Sequence, residues 1–136
     1  MIHGNIMNIL FSNINRNYII NYDLNIMKEI QGLYTSKEIV SMLTDVTYNK
    51  LIIDITSIKD YGNLDNVREL SSNLDSSKIV LILTNEPMTL STYYISNLVN
   101  MGIYNFTVIP GEIPTLLVNP RNFEQAKQID YSNINN

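Results

Sequence analysis

Two stretches of this chain leave little freedom in choosing a fold. Residues 51–55 (LIIDI) and 78–84 (KIVLILT) are short aliphatic runs, rich in β-branched residues and, apart from Asp54 and the flanking Lys78 and Thr84, apolar at odd and even positions alike. That pattern suits a strand covered on both faces rather than one with a wet side. Between them Leu64, Val67, Leu70 and Leu74 recur every three or four residues, which predicts a surface helix with Asp65 near its positive end. A buried strand, a helix and a second buried strand make a parallel crossover unit.

The remaining segments extend that unit. Residues 5–11 read as a first strand and 31–35 as a second. Between those two, residues 18–22 carry β-formers and 24–30 allow a short helix, with neither period dominant. A first strand at 18–23 would leave too little chain for a crossover before Gln31, so the earlier run is preferred. Thr35 followed by Glu38 signals a capped helix over 36–45, with Ile39, Met42 and Leu43 on one face. Pro87 precedes a helix over 88–101 that Gly102 closes, and 103–109 form the last strand. Pro110, Pro114 and Pro120 then leave room for short helices at 113–118 and 123–129. The expected fold class is α/β, a three-layer sandwich around a five-stranded, mostly parallel sheet spanning residues 1–119, with 120–136 as a C-terminal extension or linker whose Asn-rich end, 131–136, is expected to be disordered.

Composition excludes several kinds of chemistry. The chain has 136 residues, 45% of them apolar, which fits one domain with a real core. Net charge is −4 and the nine Lys and Arg are scattered, so there is no basic stripe for a nucleic-acid backbone. Cysteine is absent and His3 is the only histidine, so thiolate chemistry, Cys-based metal sites and His-dependent catalysis are not expected. No cofactor or metal is expected. The five glycines form no phosphate-cradling cluster, which excludes an ATPase in this chain. No apolar run approaches the ~20 residues of a membrane span, so a soluble, cytoplasmic protein without membrane insertion is expected.

In sheets of this kind functional residues gather where the strands end, and Ser12, Asp54, Thr84 and Ile109 all fall there. Asp54 has two readings from the residues alone: a carboxylate capping the loop that follows it, or a phosphoacceptor. Thr84 reads first as a strand-end hydroxyl bonded to backbone.

Over residues 51–110 the chain resembles a response-regulator receiver domain of flavodoxin-like topology. The resemblance rests on LIIDITSIKDYG, with a strand ending in Asp and a later Gly; on IVLILTN, with a strand ending in Thr; and on Gly102 followed by Tyr104 and Phe106 and then Pro110. It implies Asp54 at the phosphoacceptor position, Thr84 at the hydroxyl that contacts the phosphoryl group and Phe106 at the aromatic that reports it. Two receiver parts are missing. The acidic pair that holds Mg²⁺ is replaced by Ser12 and Asn13, and the lysine that neutralises the phosphoryl oxygens is replaced by Ile109. These departures resemble atypical receiver-like domains, particularly the N-terminal domains of the ParA/MinD-like ATPases of the TadZ/CpaE group, which localise pilus or secretion machinery. The resemblance implies a non-catalytic pseudo-receiver that binds a protein partner or itself. Tyr93, Tyr94 and Asn97 on the helix over 88–101 are the interface candidates, since tyrosine buries a large area at low entropic cost.

Overall fold

The computed structural model of the protein describes residues 7–16 and 23–131. The expected segment 18–22, His3 and the tail from residue 132 lie outside the described residues. The sheet contains β1 (Asn8–Ser12), β2 (Ile26–Gln31), β3 (Leu51–Asp54), β4 (Ile79–Ile82) and β5 (Asn105–Thr107), in the order β2-β1-β3-β4-β5. Every pairing is parallel, so the sheet expected to be mostly parallel is wholly so among the described residues. The helices are α1 (Ser36–Leu43), α2 (Leu64–Asn73), α3 (Pro87–Leu90), α4 (Thr92–Asn100), α5 (Ile113–Val118) and α6 (Phe123–Lys127). This is a flavodoxin-like α/β sandwich with the strand order of a receiver.

Side-chain parity along the central strands divides the core in two. Ile9, Phe11, Leu51, Ile53, Ile79 and Leu81 meet Ile39 and Leu43 of α1, Val67 and Leu70 of α2, and Ile95, Leu98 and Val99 of α4. Leu10, Ile52, Val80 and Ile82 point the other way, against Leu24 and against Ile113 and Leu116 of α5. All residues of β1, β3 and β4 are buried. The uninterrupted aliphatic runs are therefore the direct mark of two covering layers.

Three expectations are corrected. The second strand lies at β2, not at 31–35, and the stretch read as a possible helix at 24–30 is largely that strand. β2 is an edge strand whose Met27, Lys28, Glu29 and Gln31 are exposed, so it lacks the apolar run that marks its neighbours. It ends at Gly32, whose φ of 143° suits glycine and whose added Cβ would press on the Tyr34 ring at about 3.1 Å. The helix expected over 88–101 is broken at Ser91, which is extended (φ −67°, ψ 151°) and accepts the Tyr94 N–H through its hydroxyl at 3.1 Å. A cap there starts α4 afresh. The last strand is shorter than 103–109, because α4 closes on Gly102 at φ 89° and Thr107 turns the chain out of the sheet through its hydroxyl contacts. The capping box expected at Thr35 and Glu38 is present, with the Glu38 N–H donating to Thr35 at 3.1 Å and the Thr35 N–H to Glu38 at 2.8 Å.

The buried Asn8 ties the lower end of the sheet together. Its amide donates to the Leu24 carbonyl at 2.7 Å, and its Oδ1 accepts the Lys50 N–H at 3.0 Å. It thus holds the chain entering β2 and the chain entering β3 on either side of β1. Asn8→Ala strands two backbone groups at once, one buried and one partly buried, and is expected to cost about 2–6 kcal/mol in urea unfolding, since each such orphan costs about 1–3 kcal/mol.

Candidate functional site

Asp54 is the last residue of β3 and is fully buried. The Asp-x-Thr sequence after the strand makes a local turn that claims one carboxylate oxygen: Oδ1 accepts the Thr56 N–H at 3.0 Å and the Thr56 hydroxyl at 2.7 Å. The Asp54 carbonyl accepts the Ser57 hydroxyl at 2.7 Å, completing a 3₁₀ turn over Ile55–Ser57 that Asp54 caps. Asn13, in the loop after β1, donates its amide to Thr56 Oγ1 at 3.0 Å.

The other oxygen faces a cation. Nε of Arg16 stands 3.3 Å from Asp54 Oδ2, and the same guanidinium donates to the Leu83 carbonyl at 3.0 Å. One side chain from the loop after β1 therefore ties the ends of β3 and β4. An ionised carboxylate taken out of water costs several kcal/mol, and the guanidinium together with the Thr56 donors offsets that cost.

A second cluster lies beside it at the end of β4. The Thr84 hydroxyl bonds Glu86 Oε1 at 2.8 Å and Thr89 Oγ1 at 2.7 Å and accepts the Glu86 N–H at 3.2 Å. The Tyr61 phenol donates to Glu86 Oε1 as well. These two hydroxyls, Tyr61 first, hold the Glu86 carboxyl below its ordinary range, and the Arg16 charge acts in the same direction. The reciprocal bond, with burial second, pushes Tyr61 up to about 12. The field of Arg16 thus reaches Glu86 and Tyr61 as well as Asp54.

The positions at which a receiver would carry its metal-holding acids and its lysine are engaged otherwise or bring no charge. Ser12 donates its hydroxyl to Glu29 at 2.6 Å, Asn13 is spent on Thr56, and the half-exposed Ile109 brings no charge. No group of three or more metal-ligating side chains occurs among the described residues. A hard dication needs several oxygen ligands, and this donor set does not fit one. Phe106 is fully buried on the α4 side of the sheet, with the Arg121 guanidinium 5.1 Å from its ring and Tyr131 edge-on at 6.3 Å.

Of the tyrosine pair, Tyr93 is 72% exposed whereas Tyr94 is buried and donates its phenol to the Tyr61 carbonyl at 2.7 Å. Burial raises the Tyr94 phenol strongly. Tyr94 is a structural bolt between α4 and the loop after β3, and only Tyr93 is offered to solvent. Asn97 donates to the Tyr93 carbonyl at 2.8 Å and accepts from Arg68 at 3.4 Å, which joins α4 to α2 at the surface.

The sequence expectation missed Arg16, Thr56, Tyr61 and Glu86. Thr56 was readable as the third residue of Asp-x-Thr. Arg16 had one available signal: it is the only Lys or Arg before Lys28, in a chain whose buried Asp54 needs a counter-charge. Comparison with known proteins supplies no relative, as no family model matches the chain and neither curated proteins nor solved structures yield a match.

Arg16→Ala should lower stability by about 3–5 kcal/mol in urea unfolding, the cost of leaving one member of a buried pair alone, while Arg16→Met combined with Asp54→Leu should recover most of the loss. Tyr61→Phe tests the second cluster through pH. Glu86 is held below its ordinary 4.5, so its contribution is complete above that pH and is lost as pH falls through the lower folded-state value. Tyr61 is raised from 10 to about 12, so its contribution is complete below pH 10 and is lost as pH rises through about 12. The stability gap between wild type and Tyr61→Phe, followed by unfolding midpoints, should narrow at both extremes and be widest between them.

Proposed function

We propose that the protein is a pseudo-receiver, a non-catalytic module for protein interaction, dimerisation or localisation. The kind meant is the N-terminal domain of ParA/MinD-like ATPases that position pilus or secretion machinery. The observation that carries this reading is the Arg16–Asp54 pair. In phosphoryl transfer to a carboxylate, the developing charge needs a dication and an ammonium group held ready beside the acceptor. Here one Asp54 oxygen is engaged twice by Thr56 and the other faces a guanidinium that is also anchored on Leu83. Loading a phosphoryl group would require breaking these contacts in a buried site. What remains is a rim with a fixed shape, suited to presenting a surface.

The exposed Tyr93, beside Asn97 and Arg68, supports α4 as the face presented. The alternative reading, a phosphorylatable receiver using Asp54, is favoured by the position of that residue at the end of β3 within a receiver-like strand order.

Incubation with Mg²⁺ and acetyl phosphate, followed by intact-mass measurement, should yield no phosphoryl adduct. A stoichiometric adduct that disappears in Asp54→Ala would overturn the pseudo-receiver reading in favour of the alternative. For self-association, Tyr93→Glu should keep the fold and weaken the dimer at least tenfold in sedimentation. A wild-type protein that stays monomeric at high concentration rejects the homodimer and leaves a different protein as the partner.

A further inference from the structure

The open edge of the sheet at β5 is closed by a side chain from far along the sequence. The Thr107 carbonyl accepts the Leu83 N–H at 2.8 Å, so in a parallel strand the carbonyls of Tyr104 and Phe106 point outward, away from β4. Arg121 Nη1 donates to both, at 3.3 Å and 2.8 Å, and the Arg121 backbone N–H donates to Asn105 Oδ1 at 2.8 Å. The guanidinium thereby does the work of a missing neighbour strand, which is one way an exposed edge is kept from pairing with another chain. It also lies over the Phe106 ring, 5.1 Å from its centre.

Beyond Arg121 the chain turns onto the α4 side. Asn122 caps α6 with a capping box, Phe123 meets Tyr104 edge-on at 6.0 Å, Ala126 is fully buried and Tyr131 meets the Phe106 ring. The attachment is narrow. α6 has 5 residues, only Ala126 among them is buried, and Phe123 is 41% exposed. A helix of that length has no stability of its own in water. Ala126, Ile129 and Tyr131 pack against the core that α4 covers, but a cleft of about 290 Å³ opens beside that contact, lined by Ile95 and Val99 of α4 and by Phe123, Ile129 and Tyr131. Close packing is what makes a docked element costly to lift, and it is incomplete here. Upstream, Asn119 (φ −124°, ψ 76°) ends α5 outside helix and strand geometry, next to Pro120 and the exposed Val118, so no regular element continues from α5 into this segment.

From these observations we infer that residues 121–131 form a releasable strap, latched by Arg121 and pivoting at Asn119–Pro120, whose opening bares the β5 edge and the Phe106 ring while the rest of the sheet stays folded. The strap gates that side of the molecule. Release exposes outward carbonyls, an aromatic face and the Ile95–Val99 wall of α4 together, and closure hides all three.

Native-state hydrogen exchange on the full chain tests this. Amides donating within the strap, Ala126, Gln128 and Ile129, should exchange through an opening that leaves the amides of β1, β3 and β4 protected. Arg121→Ala should speed exchange at those strap amides roughly ten- to hundredfold, the range expected from losing hydrogen bonds to a charged group, with sheet amides unchanged. Arg121→Lys, which keeps the charge but not the fork geometry, should fall between the two. Strap amides that exchange only at the rate of the central strands in the wild type would overturn the proposal. So would an Arg121→Ala effect spread evenly over strap and sheet.

Discussion

A carboxylate without solvent exposure needs cationic or hydrogen-bonding partners to replace the water it has lost, and in this molecule that requirement organises the upper rim. Asp54 sits at the end of a strand buried on both faces, where water cannot reach it. Arg16 answers from one side and Thr56 from the other. Because Arg16 comes from the loop after β1 and also holds Leu83, its position ties β1, β3 and β4 at one end. Asn8 does the corresponding work at the opposite end with neutral hydrogen bonds. The sheet is thus fastened at top and bottom by polar side chains, while its middle is held by the backbone ladders and the apolar packing of both faces.

The two rim clusters are electrostatically continuous. Arg16 stabilises Asp54 by direct contact and Glu86 through its field, and Glu86 in turn orients Tyr61 and Thr84. Tyr94 carries the connection from the Tyr61 backbone into α4. A change at Arg16 therefore has a physical route to the helix that displays Tyr93. The first step of that route is the coulombic field of Arg16 at Glu86, and the later steps, Glu86 to Tyr61 and Tyr61 to Tyr94, are hydrogen bonds between named groups.

The two central strands were legible in the sequence because double burial leaves them apolar on both faces, with Asp54 as the one polar residue at the end of β3, and the capping box of α1 because its two residues act locally. β2 was not legible, since an edge strand with exposed Lys28 and Glu29 is chemically close to a surface helix. The break at Ser91 hid within a pattern that fits one long helix, although a Ser followed by Thr was a usable cap signal. At the site, Asp54 was placed correctly from its strand. Its counter-charge was not, because Arg16 and Asp54 meet only once β1 and β3 are side by side, which no local pattern encodes. Phe106 and Arg121 are a similar case: their contact follows from the strap doubling back over the sheet edge.

A metal ion in a rim of this kind comes and goes with its concentration in the surrounding fluid, whereas a guanidinium on the same chain cannot diffuse away. Tethering fixes the local supply of positive charge at an effective concentration that dilution and competing anions in solution hardly alter. The positive charge at the Asp54 corner is therefore supplied by the chain itself and does not depend on the supply of a dissolved cation.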